Sequence, residues 1–267
     1  MTTCPNKPIL QGIDLSQSFQ GQPVIAGINV ELYPGETVCI LGKSGVGKTT
    51  LFNILSGLER PETGQVLLNG KDITGQSGKV AYMQQKDLLL PFRTVADNAA
   101  VPLRLQGVSK KEARRRVEAL LPEFDLAGTA KKYPAQLSGG MRQRAALLRS
   151  YLFNDQIMLM DEPFSALDAL TKNEMHRWFR HLALNRGTAS FMVTHDIDEG
   201  LKLADRIYIM TGDGKAGRIR QEIRIDYDGE RDETFTISPA YVGWKKQILD
   251  ALHPKKEEDA ATAGTAE

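Results

Sequence analysis

Cysteine is scarce in this sequence: Cys4 and Cys39 are the two in 267 residues, and their spacing makes no zinc site. Cys39 lies inside an apolar run, where an inert, buried thiol is the expectation. An excess of one charge is missing too. The 34 Lys and Arg are balanced by 33 Asp and Glu, so the basic surplus of a dedicated nucleic-acid binder is not there. No apolar run approaches the roughly 18 residues that a membrane-spanning helix needs. The segment Met1–Leu10 has no apolar core of the kind a secretory signal carries. A cytoplasmic, soluble chain is the expectation, with any membrane link made through partners. Internal repeats and sustained heptads are also missing.

What is present reads as ordinary globular protein, with 41% hydrophobic and 25% charged residues. The length suits one α/β domain with a sizeable insertion, or two small domains sharing a core. From residue 9 to 41, short β-like runs alternate with turn signals such as Pro34-Gly35. Leu51, Ile54, Leu55 and Leu58 then fall at helical spacing after a Gly-rich turn. Val66–Leu68 and Lys79–Met83 read as further strands. From Leu88 to Asp155 the chain turns rich in Leu, Arg, Lys and Glu, which predicts helices, and Ser109 with Glu112 makes a capping box. Ile157–Met160, Ala189–Thr194 and Ile207–Met210 are nearly continuous apolar runs, as in strands buried on both faces. Helical stretches such as Lys172–Leu184 separate them, so a parallel sheet with crossovers follows. The charged, then Ala/Thr-rich tail from Pro254 to Glu267 is expected to be disordered.

Gly42-Lys43-Ser44-Gly45-Val46-Gly47-Lys48-Thr49 matches G-x-x-x-x-G-K-[ST] between an apolar strand and a helix, the context this motif requires. Its glycines let the backbone curl so that N–H groups meet phosphates, and the helix start adds its positive end. Gly42, Ser44, Gly45, Gly47, Lys48, Thr49 and Thr50 are the candidate nucleotide contacts. Lys48 is placed at the β- and γ-phosphates, and the Thr49 hydroxyl at Mg²⁺. A chance Gly-rich turn is the bland alternative, and the flanking strand and helix argue against it.

Asp161 and Glu162 follow the apolar run Ile157–Met160 directly. Ligands bind at the carboxyl ends of such strands in open α/β sheets. Asp161 is the candidate Mg²⁺ ligand, leaving Glu162 to orient or deprotonate the attacking water. Taken alone, acidic residues after a strand are as often solvated ends.

A phosphate loop and an acidic strand end fit many nucleotide hydrolases. Leu137-Ser138-Gly139-Gly140-Met141-Arg142-Gln143-Arg144 narrows them, because it resembles the LSGGQ signature of ABC-transporter ATPases, with Met141 where that family usually has Gln. The resemblance extends from about Ile9 to Arg220. It implies an α/β fold with a P-loop NTPase (RecA-like) core, a predominantly parallel sheet, an N-terminal antiparallel β portion and an inserted α-helical subdomain. The expected divisions are a core at 1–87 and 156–225, the insertion at 88–155, and an extension at 226–267. It also implies an ATPase, turning ATP and water into ADP and phosphate, with ATP and Mg²⁺ bound. In a head-to-tail homodimer, Ser138, Gly139 and Gly140 would meet the nucleotide held by the other subunit. Gln85 resembles the Q-loop glutamine near Mg²⁺, with its neighbour Gln84 leaving the register open by one. Asp168, in Ser165-Ala166-Leu167-Asp168, resembles the D-loop residue that couples the two sites. His195 resembles the switch histidine on the γ-phosphate, although a lone His is more often structural. Phe19 takes the place of the aromatic residue stacked on adenine, although an aromatic near a strand end usually only packs.

Leu88–Val95 is similar to the segment after the Q-loop in importers of nitrate, sulfonate, taurine and thiamine precursors, and so is Gly214–Ile219, with Ala216 replacing Pro. Ser238-Pro239, leading into a short amphipathic helix near Ile248, fits the same branch. The resemblance implies integral membrane permease subunits, a periplasmic or extracellular substrate-binding protein reached through them, no nucleic acid, and a peripheral position on the cytoplasmic face of the inner membrane. Leu88–Val95 could equally be packing between the sheet and the insertion. Arg114-Arg115-Arg116 invites a nucleic-acid reading, but beside Glu112 and Glu118 a solvated helix face is the better one. Three other readings compete with import. An exporter ATPase, or a soluble ABC ATPase acting on DNA or ribosomes, is one; the latter usually has two cassettes or coiled-coil insertions. A GTP switch needs an Asn-Lys-x-Asp string, which does not occur. A non-catalytic sensor is opposed by the pairing of Glu162 with His195.

Overall fold

The computed structural model describes residues 7–212, 216–227 and 229–253. Cys4, part of the Gly214–Ile219 turn and the tail from Pro254 lie outside the described residues. Two sheets form the frame. The smaller is antiparallel, in the order β2 (Gln22–Leu32), β1 (Leu10–Phe19), β4 (Thr63–Leu68), β5 (Lys71–Asp72). The larger runs β10 (Arg218–Arg224), β9 (Arg206–Thr211), β3 (Thr37–Gly42), β8 (Ala189–Thr194), β7 (Ile157–Asp161), β6 (Ala81–Met83). Its pairs are parallel except for β10 against β9. Helices α1 (Lys48–Leu55), α6 (Ala169–Arg186) and α7 (Ile197–Leu203) make the crossovers, and α8 (Glu233–Thr236) and α9 (Pro239–Leu252) follow β10.

The central strands are apolar at nearly every position because both faces are covered. Val38 and Ile40 of β3 join Phe52, Ile54 and the antiparallel sheet on one side, while Cys39 and Leu41 face Leu201, Ile248 and Ala251 on the other. The same alternation sends Leu159 and Phe191 to the first core and Met158, Met160 and Met192 to the helical insertion. Phe191 meets Phe52 edge-on, with ring centroids 5.6 Å apart. Burial holds the Cys39 thiol well above its ordinary pKa.

Between β6 and β7 the chain is helical: α2 (Val95–Ala99), α3 (Val101–Leu105), α4 (Lys110–Leu120) and α5 (Gly139–Phe153). The Ser109 hydroxyl accepts the Glu112 N–H at 3.3 Å, but the Glu112 carboxylate turns to Arg115 and Arg116 instead of back to the cap. Arg114 pairs with Glu118, so each member of the arginine run is spent on a glutamate. Beyond β10, Phe235, Tyr241 and Ile248 pack into the core that holds Leu41 and Ile209. The extension is therefore seated on the sheet rather than merely appended to it.

Candidate functional site

The loop Lys43–Gly47 joins the end of β3 to the start of α1. Gly45 and Gly47 have φ of 79° and 104°, a region costly to side-chain-bearing residues. A Cβ at Gly42 would lie 2.5 Å from the Met210 carbonyl oxygen, and one at Gly47 would lie 2.6 Å from Ile25 Cγ2. At Gly45 it would meet nothing within 4 Å, so the loop opens outward there. The first bond of α1 runs from the Leu51 N–H to the Gly47 carbonyl at 3.0 Å, and the N–H groups of Gly45, Gly47, Lys48 and Thr49 take no backbone carbonyl among the described residues. Unpaired donors at a helix start are suited to a phosphate.

Lys48 is buried, and its Nζ donates to the Gly42 and Lys43 carbonyls at 2.7 and 2.8 Å. One N–H remains for a phosphate oxygen. Burial lowers its pKa, opposed by the charges of Glu162 and Asp161. Thr49 Oγ1 donates to Asp161 Oδ2 at 2.9 Å, joining the loop to the end of β7. Burial raises the Asp161 pKa against the lowering effect of that bond. A hydroxyl beside a carboxylate is a hard-oxygen pair suited to Mg²⁺, which commonly takes one or two protein oxygens and completes its shell with water and phosphate. No group of three or more His, Cys, Asp or Glu converges among the described residues, so the donor set fits that pattern and not an all-protein cage.

Glu162 is the centre of a second cluster. Its backbone is left-handed, with φ of 47°, while its N–H stays bonded to the Val193 carbonyl at 3.0 Å. That turn lets the side chain leave the strand line at a position where a non-glycine residue is strained. Gln85 Nε2 donates to Glu162 Oε2 at 3.3 Å, and His195 Nδ1 lies 3.2 Å from Oε1. It is Gln85, and not Gln84, that reaches this cluster; Gln84 lines a groove with Leu58 and Leu105. Gln85 touches Glu162 and Ser165 but not the Thr49–Asp161 pair with which the sequence grouped it.

The remaining candidates stand apart. Ser138 caps α5 and accepts the Met141 N–H at 3.3 Å. Gly139 and Gly140 form the first turn of that helix. A Cβ at Gly140 would lie 3.0 Å from Thr171 Cγ2, so this glycine allows α5 and α6 to approach. Asp168 caps α6 through the Leu170 and Thr171 N–H groups. Phe19 ends β1, 46% exposed, outside the cavity over the loop that Val24, Lys43 and Thr211 line. Two contacts escaped the sequence reading. The Tyr82 hydroxyl lies 3.5 Å from Asp161, and Lys172 donates to Asp196, beside His195, at 2.7 Å. The apolar residues before Gln84 could have flagged Tyr82; nothing local marks Lys172.

Residues 25–165 match the ABC transporter family. The formylaminopyrimidine import ATP-binding protein ThiZ of Halalkalibacterium halodurans is 39% identical over 230 residues, 86% of this chain and 90% of that one. The taurine import ATP-binding protein TauB of Chromobacterium violaceum is 34% identical over 246 residues, 90% of this chain and 94% of that one. A dimeric structure of MJ0796, a bacterial ABC transporter cassette, aligns with a TM-score of 0.69 at 26% identity, covering 82% of this chain and 99% of that one. The chain belongs to the ABC transporter family and is one of its ATP-binding ATPases.

Proposed function

We propose that this chain powers import through separate membrane permease subunits, working as a head-to-tail pair on the cytoplasmic face of the membrane. The observation that carries the hydrolytic part is the placement of Glu162 between Gln85 and His195, at 3.3 and 3.2 Å. The loop N–H groups and Lys48 hold the phosphates, with Ser44 and Thr50 beside them. Thr49 and Asp161 would hold Mg²⁺, with Gln85 reaching it once nucleotide is bound; the ion supplies charge neutralisation at the phosphates. Glu162 orients the attacking water and takes its proton. His195 holds the γ-phosphate oxygen and the carboxylate in one geometry. Phe19 stacks on adenine.

One chain has two glycine-rich helix starts, and a single nucleotide needs only one of them from it. Ser138, Gly139 and Gly140 serve the nucleotide of the second copy, and Asp168 at the start of α6 links the two sites. The dimeric cassette structure supports this arrangement, and the relatives' names support import. The membrane partner sits near the exposed Leu88, Phe92 and Leu105. Gln84 on that groove and Gln85 at Glu162 are adjacent in sequence, so a push on the groove reaches the site. An extracytoplasmic binding protein delivers the cargo to the permease, and this chain does not bind it.

Glu162→Gln keeps the shape and removes the base. Turnover should fall by about a hundredfold or more, with ATP affinity retained and an ATP-bound dimer accumulating in size-exclusion chromatography. Turnover at the parent rate would remove Glu162 from the mechanism.

A further inference from the structure

A cavity of about 220 Å³ lies between α6, α7 and the segment Arg231–Thr236, away from the nucleotide residues. Arg177 and Arg180 line it from α6, Lys202 from α7 and Arg231 from the extension, against the carboxylates of Asp232 and Glu233. Those carboxylates do not neutralise the cations. Asp232 Oδ1 accepts the Thr234 and Phe235 N–H groups and the Thr234 hydroxyl. Asp205 is shared, 3.7 Å from both Arg180 and Arg231. Among the described residues Lys202 donates only to the neutral Asn173 side chain, at 2.9 Å.

Two buried side chains on the wall have polar atoms without partners. Arg231 is 8% exposed; its Nη atoms donate to the carbonyls of Leu201, Ala204 and Ile225, and its Nε has no partner among the described residues. His176 is 4% exposed, and neither ring nitrogen is hydrogen-bonded among the described residues; Glu199 Oε2 stands 3.5 Å from Nε2. Buried donors left unpaired are costly, and a buried guanidinium that shares its one carboxylate, Asp205, with Arg180 is only partly compensated. Burial, and then the like charge of Arg180, push the Arg231 guanidinium down to about 10.

We propose that this cavity is a second anion site, which takes a small tetrahedral oxyanion of the phosphate or sulfate kind. The anion is held by Arg177, Arg180, Lys202 and Arg231, and it ties the C-terminal extension to α6 and α7. The guanidinium groups of Arg177 and Arg180 on α6, with the unpaired Nε of Arg231 from the extension, suit such an ion, and the charge-assisted bonds supply what the wall carboxylates do not.

The phosphate loop would itself bind such ions, so the test uses the full chain carrying Lys48→Ala. Sulfate titrated by calorimetry should bind saturably in the millimolar range or tighter. Adding Arg177→Gln and Lys202→Gln, both on the cavity wall and outside the nucleotide site, should weaken it by about tenfold or more. The melting temperature without sulfate should stay put. Methanesulfonate in place of sulfate separates the sources: a free inorganic ion is indicated if sulfate binds tighter, and an organic sulfonate if it does not. Absence of saturable binding in the Lys48→Ala chain, or binding unmoved by the two glutamine substitutions, overturns the site.

Discussion

Helices α1 and α5 both begin at glycine-rich turns, yet one chain finishes the first and leaves the second open. At α1 the buried Lys48 ammonium clamps two loop carbonyls, and Thr49 is already joined to Asp161. At α5 the exposed Ser138 does no more than cap its own helix. Gly139 differs from the loop glycines in the same way. Gly42 and Gly47 are required by close approach within the chain, whereas a Cβ at Gly139 would make ordinary contact, 3.5 Å from Leu167 Cδ2. Arg142 stands beside this start but is engaged by Asp87 and the Leu137 carbonyl, and such a helix start can stabilise a phosphate that something else has brought to it. The asymmetry supports the proposal that α5 is half of a site whose other half belongs to a second copy.

The largest expected effect comes from breaking the finished half. A ligand at a hundred times its Kd stabilises its protein by about 2.7 kcal/mol, which thermal denaturation reads as an ATP-dependent rise in Tm. Lys48→Ala should abolish that rise together with turnover. The fold should survive, because Lys48 holds its charge against burial, as its lowered pKa shows. An ATP-induced shift equal to the parent's would mean that the loop is not the phosphate cradle.

Gly139→Glu tests the open half, with stability and activity predicted to move in opposite directions. The position is the first of α5 and its φ is not left-handed. Replacing glycine there should gain roughly 0.5–1 kcal/mol of helix stability, with a few tenths more from an acid at the helix start. A carboxylate facing the partner's phosphate should still cut turnover by at least about tenfold through like-charge repulsion, while ATP binding to the single subunit stays normal. If denaturation shows the gain and turnover is untouched, α5 has only a structural cap, and the head-to-tail pairing loses its main support.

The same contrast explains what the sequence could reveal. The phosphate loop and the Asp161-Glu162 pair were legible because each is contiguous and stands at a strand end. The strands β3, β7 and β8 were legible as apolar runs, but their faces were not: a continuous run carries no alternation, so the split of Val38 and Ile40 from Cys39 and Leu41 emerges only once both covering layers are in place. The capping box at Ser109 was half right, because two arginines outcompete the cap N–H for Glu112. Tyr82 and Asp161 lie 79 residues apart, a separation that leaves no local pattern to read. The seating of Phe235 and Tyr241 on the sheet was hidden for the same reason.

The smallest effect concerns pH and again separates the two helix starts. Burial raises the Asp161 pKa, so the folded chain keeps this proton at pH values where the unfolded chain has lost it. The stability that this proton contributes is complete below the unfolded value, about 3.9, and fades as pH rises through the raised folded value. Denaturant unfolding without Mg²⁺ should therefore show the parent losing stability relative to Asp161→Asn as pH rises from about 4. Mg²⁺ with ATP should flatten the difference, because a cation beside the carboxylate favours its charged form. Ser138→Ala, at a start with no titrating group, should leave the slope as it was. A pH-independent gap between the parent and Asp161→Asn would show that the carboxylate is already compensated before any cation arrives, and the hard-oxygen pair with Thr49 would lose its reason for being poised to accept one.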